Sequence, residues 1–291
     1  MLPESPVSPP LVAWGNAWLA GHVGLDEAVD QVEAASGPVV VGPPDVPGSA
    51  ADVPGSPADI LGSPADVPAS PADILGSADE VSAFPADVSG SAVVGDVPLR
   101  AYLAGLRSDG LTEFRLALPA PGDPLGLSGP PAFNAAAVEA GQAVIAVLAD
   151  RCLGLVPSPD LRGSSYIGVR LAVHPSGPVR VDLPSVAEAE HELSIAMRSA
   201  TETLAAAGGP AQEWPDRLGR LGGELAPGYP GRAHRVSALA TRLAAVLRLA
   251  DERGLTSGEI AARGAVLREL DRAVRRALVA AHHAIFEPVR Q

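Results

Sequence analysis

The chain has 291 residues and a net charge of −13, with 34 acidic residues against 21 basic ones. Every base is Arg, so chemistry that needs a lysine is excluded, whether a Schiff base, a P-loop lysine or a lysine general base. A single cysteine, Cys152, excludes an intrachain disulfide and any cysteine-cluster metal centre, and the acidic balance argues against a nucleic-acid partner.

The charge is unevenly placed. Residues 43–96 hold nine acids and no base, and twenty-five acids against 21 Arg remain elsewhere, a net of −4. The acidity therefore belongs mostly to one segment. No run of 18 or more uncharged apolar residues occurs, so no membrane span and no membrane partner are expected. The opening MLPESPVSPP carries Glu4 and no basic region, unlike a signal peptide, and a cytoplasmic location is the expectation. This length suits one large or two small domains.

Residues 1–10 read as a disordered tail. From about Leu11 a helix is expected, with Trp14 and Trp18 as anchors between helix and sheet. The Gly21–Gly24 stretch splits it, and Asp26 and Glu27 open the second half at its positive end. A helix-turn-helix DNA reader would need basic and amide groups where Asp26, Glu27, Asp30 and Glu33 stand.

Residues 45–79 repeat with period seven: DVPGSAA, DVPGSPA, DILGSPA, DVPASPA, DILGSAD. Proline in most copies blocks a coiled coil, and one or two apolar residues per unit cannot build a solenoid core. The expectation is a solvated, disordered insert over 43–92 that interrupts a strand-to-helix connection. Either VVV (39–41) before it or VV (93–94) after it fits a buried strand.

Beyond the insert, Pro98 to Arg107 reads as a helix and TEFRLALP (112–119) as a strand with Phe114, Leu116 and Leu118 inward. A Gly/Pro loop covers 119–131, and Phe133–Asp150 reads as a helix with a Val138, Gln142, Ile145, Leu148 stripe. CLGLVP (152–157) reads as a buried strand. SYIGVRLAV (165–173), the turn HPSG and PVRVDL (178–183) read as a hairpin. The fold class is thus α+β: a sheet of four to five strands in β-α-β-α-β order plus an antiparallel hairpin. The first three strands are expected to be parallel.

Residues 185–291 read as a three-helix antiparallel bundle packed on an 11–184 α/β domain. Ser185 and Glu188 form a capping box. The later helices carry the stripes Val236, Leu239, Leu243, Val246 and Leu267, Leu270, Val274, Leu278, with Thr256 or Ser257 as a cap.

The stretches LVAWGNAWLAGHVGLDEAVDQVEA, FRLALPAPGDPLGLSGPPAFNAAAVEAGQAV, SVAEAEHEL and PGYPGRAHRV resemble a set of hypothetical actinobacterial proteins with no established activity. The resemblance covers most of the chain outside 43–96. It supplies no site, cofactor or partner, and implies that the repeat is peculiar to this member.

The best place for a ligand is the loop PAPGDPLGLSGPPAFN (119–134). It leaves a strand and opens a helix, where free N–H groups favour anions. Gly122, Gly126 and Gly129 would let the backbone approach a ligand, and Asp123, Ser128 and Asn134 are the polar groups. The bland account is a rigid connection with those side chains bonded to nearby backbone. Glu188-x-x-His191 is the half-motif of a di-iron bundle, but no second copy exists. His282 and His283 point about 100 degrees apart on a helix and cannot share an ion. The series Arg263, Arg268, Arg272, Arg275, Arg276, interleaved with Glu259, Glu269 and Asp271, reads as a solvated face with local ion pairs. No nucleophile elbow or Ser–His–acid set is evident, and Cys152 reads as a small hydrophobe. These readings point to a non-catalytic interaction or structural protein with a protein partner or self-association, no cofactor and no metal. A small-molecule or anion site at 119–134 is the alternative.

Overall fold

The computed structural model describes residues 7–44, 95–127, 129–160, 168–178, 184–206, 225–252 and 260–287. The repeat, the valines at 93–94, Ser128, most of the strand expected over PVRVDL and the Thr256/Ser257 cap lie outside them.

Helices α1 (Ser8–Leu19) and α2 (Leu25–Ser36) flank the glycine break. Prolines 9 and 10 start α1 rather than precede it, since the first helical N–H groups have no intrahelical acceptor to lose. Of the expected 1–10 tail, Val7 is buried and 8–10 are helical, and residues 1–6 lie outside the described residues. Leu11, Val12, Ala13 and Ala17 are buried, whereas Trp14 and Trp18 are only partly buried. Trp18 lies at the rim, with the Arg107 guanidinium 5.6 Å from its ring centre. Both indoles pack against the core from its edge, and α1 comes closest to the sheet at Gly15, where a methyl would stand 2.7 Å from the Phe114 ring.

Of the two valine runs, VVV (39–41) lies in the sheet, as strand β1 (Val39–Gly42) beside β2 (Val97–Pro98). Then come α3 (Leu99–Ser108), β3 (Glu113–Ala117), α4 (Pro131–Ala140), β4 (Ala143–Val147), β5 (Cys152–Asp160) and β6 (Gly168–Ser176). The mixed sheet has six strands in the order β2-β1-β6-β5-β4-β3.

Three expectations need correction. The helix expected over Phe133–Asp150 ends at Ala140, where Gly141 takes a left-handed φ of +66°. AVIAV then runs as β4. Its branched residues suit a strand, and Val138, Ile145 and Leu148 matched helical spacing only by coincidence. The expected parallel arrangement is confined to β1 and β6; β3, β4, β5 and β6 pair antiparallel. The cause is the missed strand: with β4 in place, Leu148–Arg151 closes a tight hairpin through a 2.9 Å Leu148 N–H to Arg151 carbonyl bond. Finally, HPS (174–176) is not a turn but the end of β6, whose hairpin partner is β5, with Val173 opposite Leu155.

The sheet has two apolar faces. One, with Phe114, Leu116, Val144, Leu155 and Leu171, packs on α1, α3 and the C-terminal helices. The other, with Ala117, Ala143, Ile145 and Val156, is covered by α4 through Phe133 and Ala137. Phe133 is fully buried and lies over Gly154, where any Cβ would collide with the ring. That contact explains a glycine in mid-strand.

The C-terminal bundle comprises α5 (Val186–Ala206), α6 (Gly231–Glu252) and α7 (Ile260–His283). Helix α7 is central and packs along both partners, while α5 and α6 scarcely meet. Val274, Ala277, Val279 and Ala281 of α7 are fully buried, because it also lies against β3 and α1. The capping box of α5 is formed: the Ser185 N–H and hydroxyl donate to Glu188 Oε2 at 2.9 and 2.8 Å. These bonds hold the Glu188 carboxyl below its usual range.

Candidate functional site

The loop after β3 begins with Ala120–Asp123, a tight turn in which the Ala120 and Asp123 backbones bond reciprocally at 2.9 Å. Pro121 and Gly122 occupy its centre, and Gly122 takes φ +78°, a conformation that disfavours other residues. This turn aims the Asp123 carboxylate at α7. Its Oδ2 accepts from Arg275 Nη2 at 2.9 Å and from Arg272 Nε at 3.2 Å. Arg275 also donates to the Leu118 carbonyl at 2.8 Å and to Asp271 Oδ2 at 2.8 Å. Both Arg275 (14% exposed) and Asp123 (18%) are largely shielded, whereas Arg272 (60%) is not. Burial opposes the charge on Asp123, but the two guanidinium groups outweigh it and lower its pKa.

Of the remaining described loop residues, Leu125 and Phe133 are buried, while Pro124, Gly126 and Pro130 are exposed. Gly126 takes φ +85°, and a methyl there would press on the Leu116 carbonyl at 3.3 Å. Gly129 lies against the Phe133 ring, and its carbonyl accepts from Asn134 Nδ2 at 2.9 Å. The Asn134 Oδ1 is buried without a hydrogen-bond partner among the described residues. The structure thus brings Asp123 to the arginines of α7, and Gly129 to Asn134, but it does not bring Asp123 and Asn134 to one cluster of bonds. The antiparallel pairing of β3 with β4 also removes the parallel strand ends on which the ligand expectation rested.

The arginine series is correspondingly more than a solvated face. Arg276 pairs with Glu192 of α5 at 3.1 Å, and Arg275 with Asp271 one turn back at 2.8 Å, as helical spacing implies. Asp123 lies about 150 residues away in sequence, so no local pattern could indicate that pair.

A second polar group ties α1 and α7 to β3. Asn16 is fully buried and bonds both ways to the Phe114 backbone: Nδ2 donates to its carbonyl at 2.8 Å, and Oδ1 accepts its N–H at 2.7 Å. Far along the chain, just before α6, Tyr229 in PGYPGR donates its hydroxyl to the His282 carbonyl at 3.0 Å. Gly228 beside it takes φ +95° against the His22 ring, where a Cβ would collide. His282 Nδ1 donates to the Leu278 carbonyl at 2.7 Å, and His283 Nε2 accepts the Leu116 N–H at 3.4 Å. Burial lowers the His282 pKa to about 4. Burial, then Arg115 and His282, lowers that of His283 to about 3. Both rings are neutral at pH 7, as an acceptor role for His283 requires. The signals available in sequence were an amide inside an apolar helix stripe and a histidine pair on another.

Among the described residues no group of three His, Cys, Asp or Glu is placed to hold a metal. Likewise, no helix among them is long and apolar enough to cross a membrane. A depression lined by Val7, Gln142, Ser158 and Val169 offers about 20 Å³, room for one water.

Fold and site together define a two-part protein, a mixed six-stranded sheet domain followed by a three-helix bundle and joined to it through α7. The N-terminal-domain profile of the Rv1486c-like proteins matches residues 8–184, and the C-terminal-domain profile matches 187–279. The chain belongs to this Rv1486c-like family, an uncharacterised actinobacterial one. No curated protein and no solved structure matches it.

Proposed function

We propose that the chain works by contact, as a non-catalytic interaction or structural protein whose sheet domain and bundle are braced into one body. The observation that carries this reading is the double engagement of Asp123 by Arg275 and Arg272. The most functional-looking loop spends its only charge on holding α7. A carboxylate neutralised by two guanidinium groups is a poor general base and a poor metal ligand. Its arginines are also less available to an outside anion.

The alternative, a small-molecule or anion site at 119–134 built from Asp123, Gly126, Ser128, Gly129 and Asn134, has one observation in its favour. The buried Asn134 Oδ1 lacks a partner among the described residues, and a bound donor would satisfy it.

A melting screen of the wild-type chain against nucleotides, phosphosugars, carboxylates, sugars and divalent metals separates the two. Ligand at a hundredfold excess over its dissociation constant stabilises by about 2.7 kcal/mol, well within detection. The contact reading expects no shift. A shift abolished by Asn134→Ala or Asp123→Ala in a folded variant would replace it with the ligand reading.

A further inference from the structure

We infer that Arg170, Asp96 and Gly42 form a clasp that closes the neck of the insert, so that the sheet holds its shape whatever lies between residues 44 and 95. Strand β1 runs into the insert and β2 comes out of it, and they pair antiparallel for only two residues, Val40 with Pro98 and Val41 with Val97. Proline leaves one of those positions without an N–H, so ladder bonding is minimal. This neck must nevertheless hold together the ends of a long connection, and the entropy lost in closing a loop rises with its length.

Arg170 supplies what the ladder lacks. It projects from β6, in register with Val40. Its Nε donates to Asp96 Oδ1 at 3.1 Å, just before β2, and its Nη2 donates to the Pro43 carbonyl at 2.6 Å, just after β1. One guanidinium therefore grips the outgoing and the returning strand at once. Both charged side chains are only 14% exposed, so the ion pair is shielded from solvent. Gly42 completes the fit: a methyl there would collide with the Asp96 carboxylate. A planar fork with donors on two edges suits this task, and an ammonium on a flexible stem does not.

The clasp makes a prediction that a merely sheet-supporting arginine does not. Its effect should depend on the length of the connection it closes. Hydrogen exchange, read by mass spectrometry on the peptide spanning 95–103, would be compared in four chains: wild type, Arg170→Met, a chain with 45–94 replaced by Asn-Gly, and that chain with Arg170→Met. In the full-length protein Arg170→Met should accelerate exchange at the neck tenfold or more, and Arg170→Lys should not restore it. In the shortened chain only seven residues connect the paired Val41 and Val97, so closure costs less entropy and the acceleration should fall below threefold. Equal acceleration in both backgrounds, or none in the full-length chain, would overturn the clasp. Should Arg170→Met fail to fold, Asp96→Asn, which keeps the side-chain shape and removes the charge, carries the same comparison.

Discussion

The seam between the sheet and α7 and the neck of the insert solve opposite problems. At the seam, α1, β3 and α7 meet over fully buried apolar residues, and hydrogen bonds tie the polar groups among them: Asn16 to Phe114, Tyr229 to His282, His283 to Leu116. At the neck, two residue pairs and one guanidinium suffice. The seam is costly to break because an orphaned polar group in an apolar surround carries its full desolvation penalty. The neck rests on few bonds by comparison. The contrast shows where this chain tolerates change and where it does not.

The sharpest way to break that contrast is at Asn16. Asn16→Leu keeps the volume but strands both the N–H and the carbonyl of Phe114, and should cost about 2–4 kcal/mol in urea unfolding. A loss below about 1 kcal/mol would mean that the seam rests on apolar packing alone.

Acid should weaken the seam next. The folded pKa of His282, about 4, lies below the ordinary 6.5, so the unfolded chain takes up the proton first. Its stabilising contribution is complete above pH 6.5 and is lost as pH falls from there towards 4. Between pH 7 and pH 5 this withdraws about 1–2 kcal/mol. His282→Asn should flatten the stability profile over that interval relative to wild type, and parallel profiles would remove the histidine from the account.

The smallest cost is expected at the neck. Replacing 45–94 by Asn-Gly should leave the thermal midpoint undiminished, and any change should be a gain of up to about 2 kcal/mol from the shorter closure. A lower midpoint or a broadened transition in calorimetry would show that the insert contributes to the core.

Much of the fold was legible because it rests on local signals. The glycine break between α1 and α2, the capping box at Ser185 and Glu188, and the apolar stripe of α7 each depend on residues within a turn or two. Strand β4 was not legible, since Val138, Ile145 and Leu148 fit helical spacing as well as AVIAV fits a strand. Only Gly141 distinguished the two, and with β4 went the direction of the neighbouring strands. For the loop, the residue types that suggest a ligand site also make an interdomain brace. Asp123 pairs with Arg275 across the chain, Asn16 with Phe114 across 98 residues and His283 with Leu116 across 167, and periodicity carries no information about such partners.

That the 119–134 loop is a brace is tested most directly by a double-mutant cycle on Asp123→Ala and Arg275→Met, followed by urea unfolding. Because both side chains are largely shielded but not fully buried, the account predicts a coupling of about 1–2 kcal/mol, with the double variant less damaged than the sum of the singles. Strict additivity, with each single variant within about 0.5 kcal/mol of wild type, would contradict it and leave Asp123 free for another role.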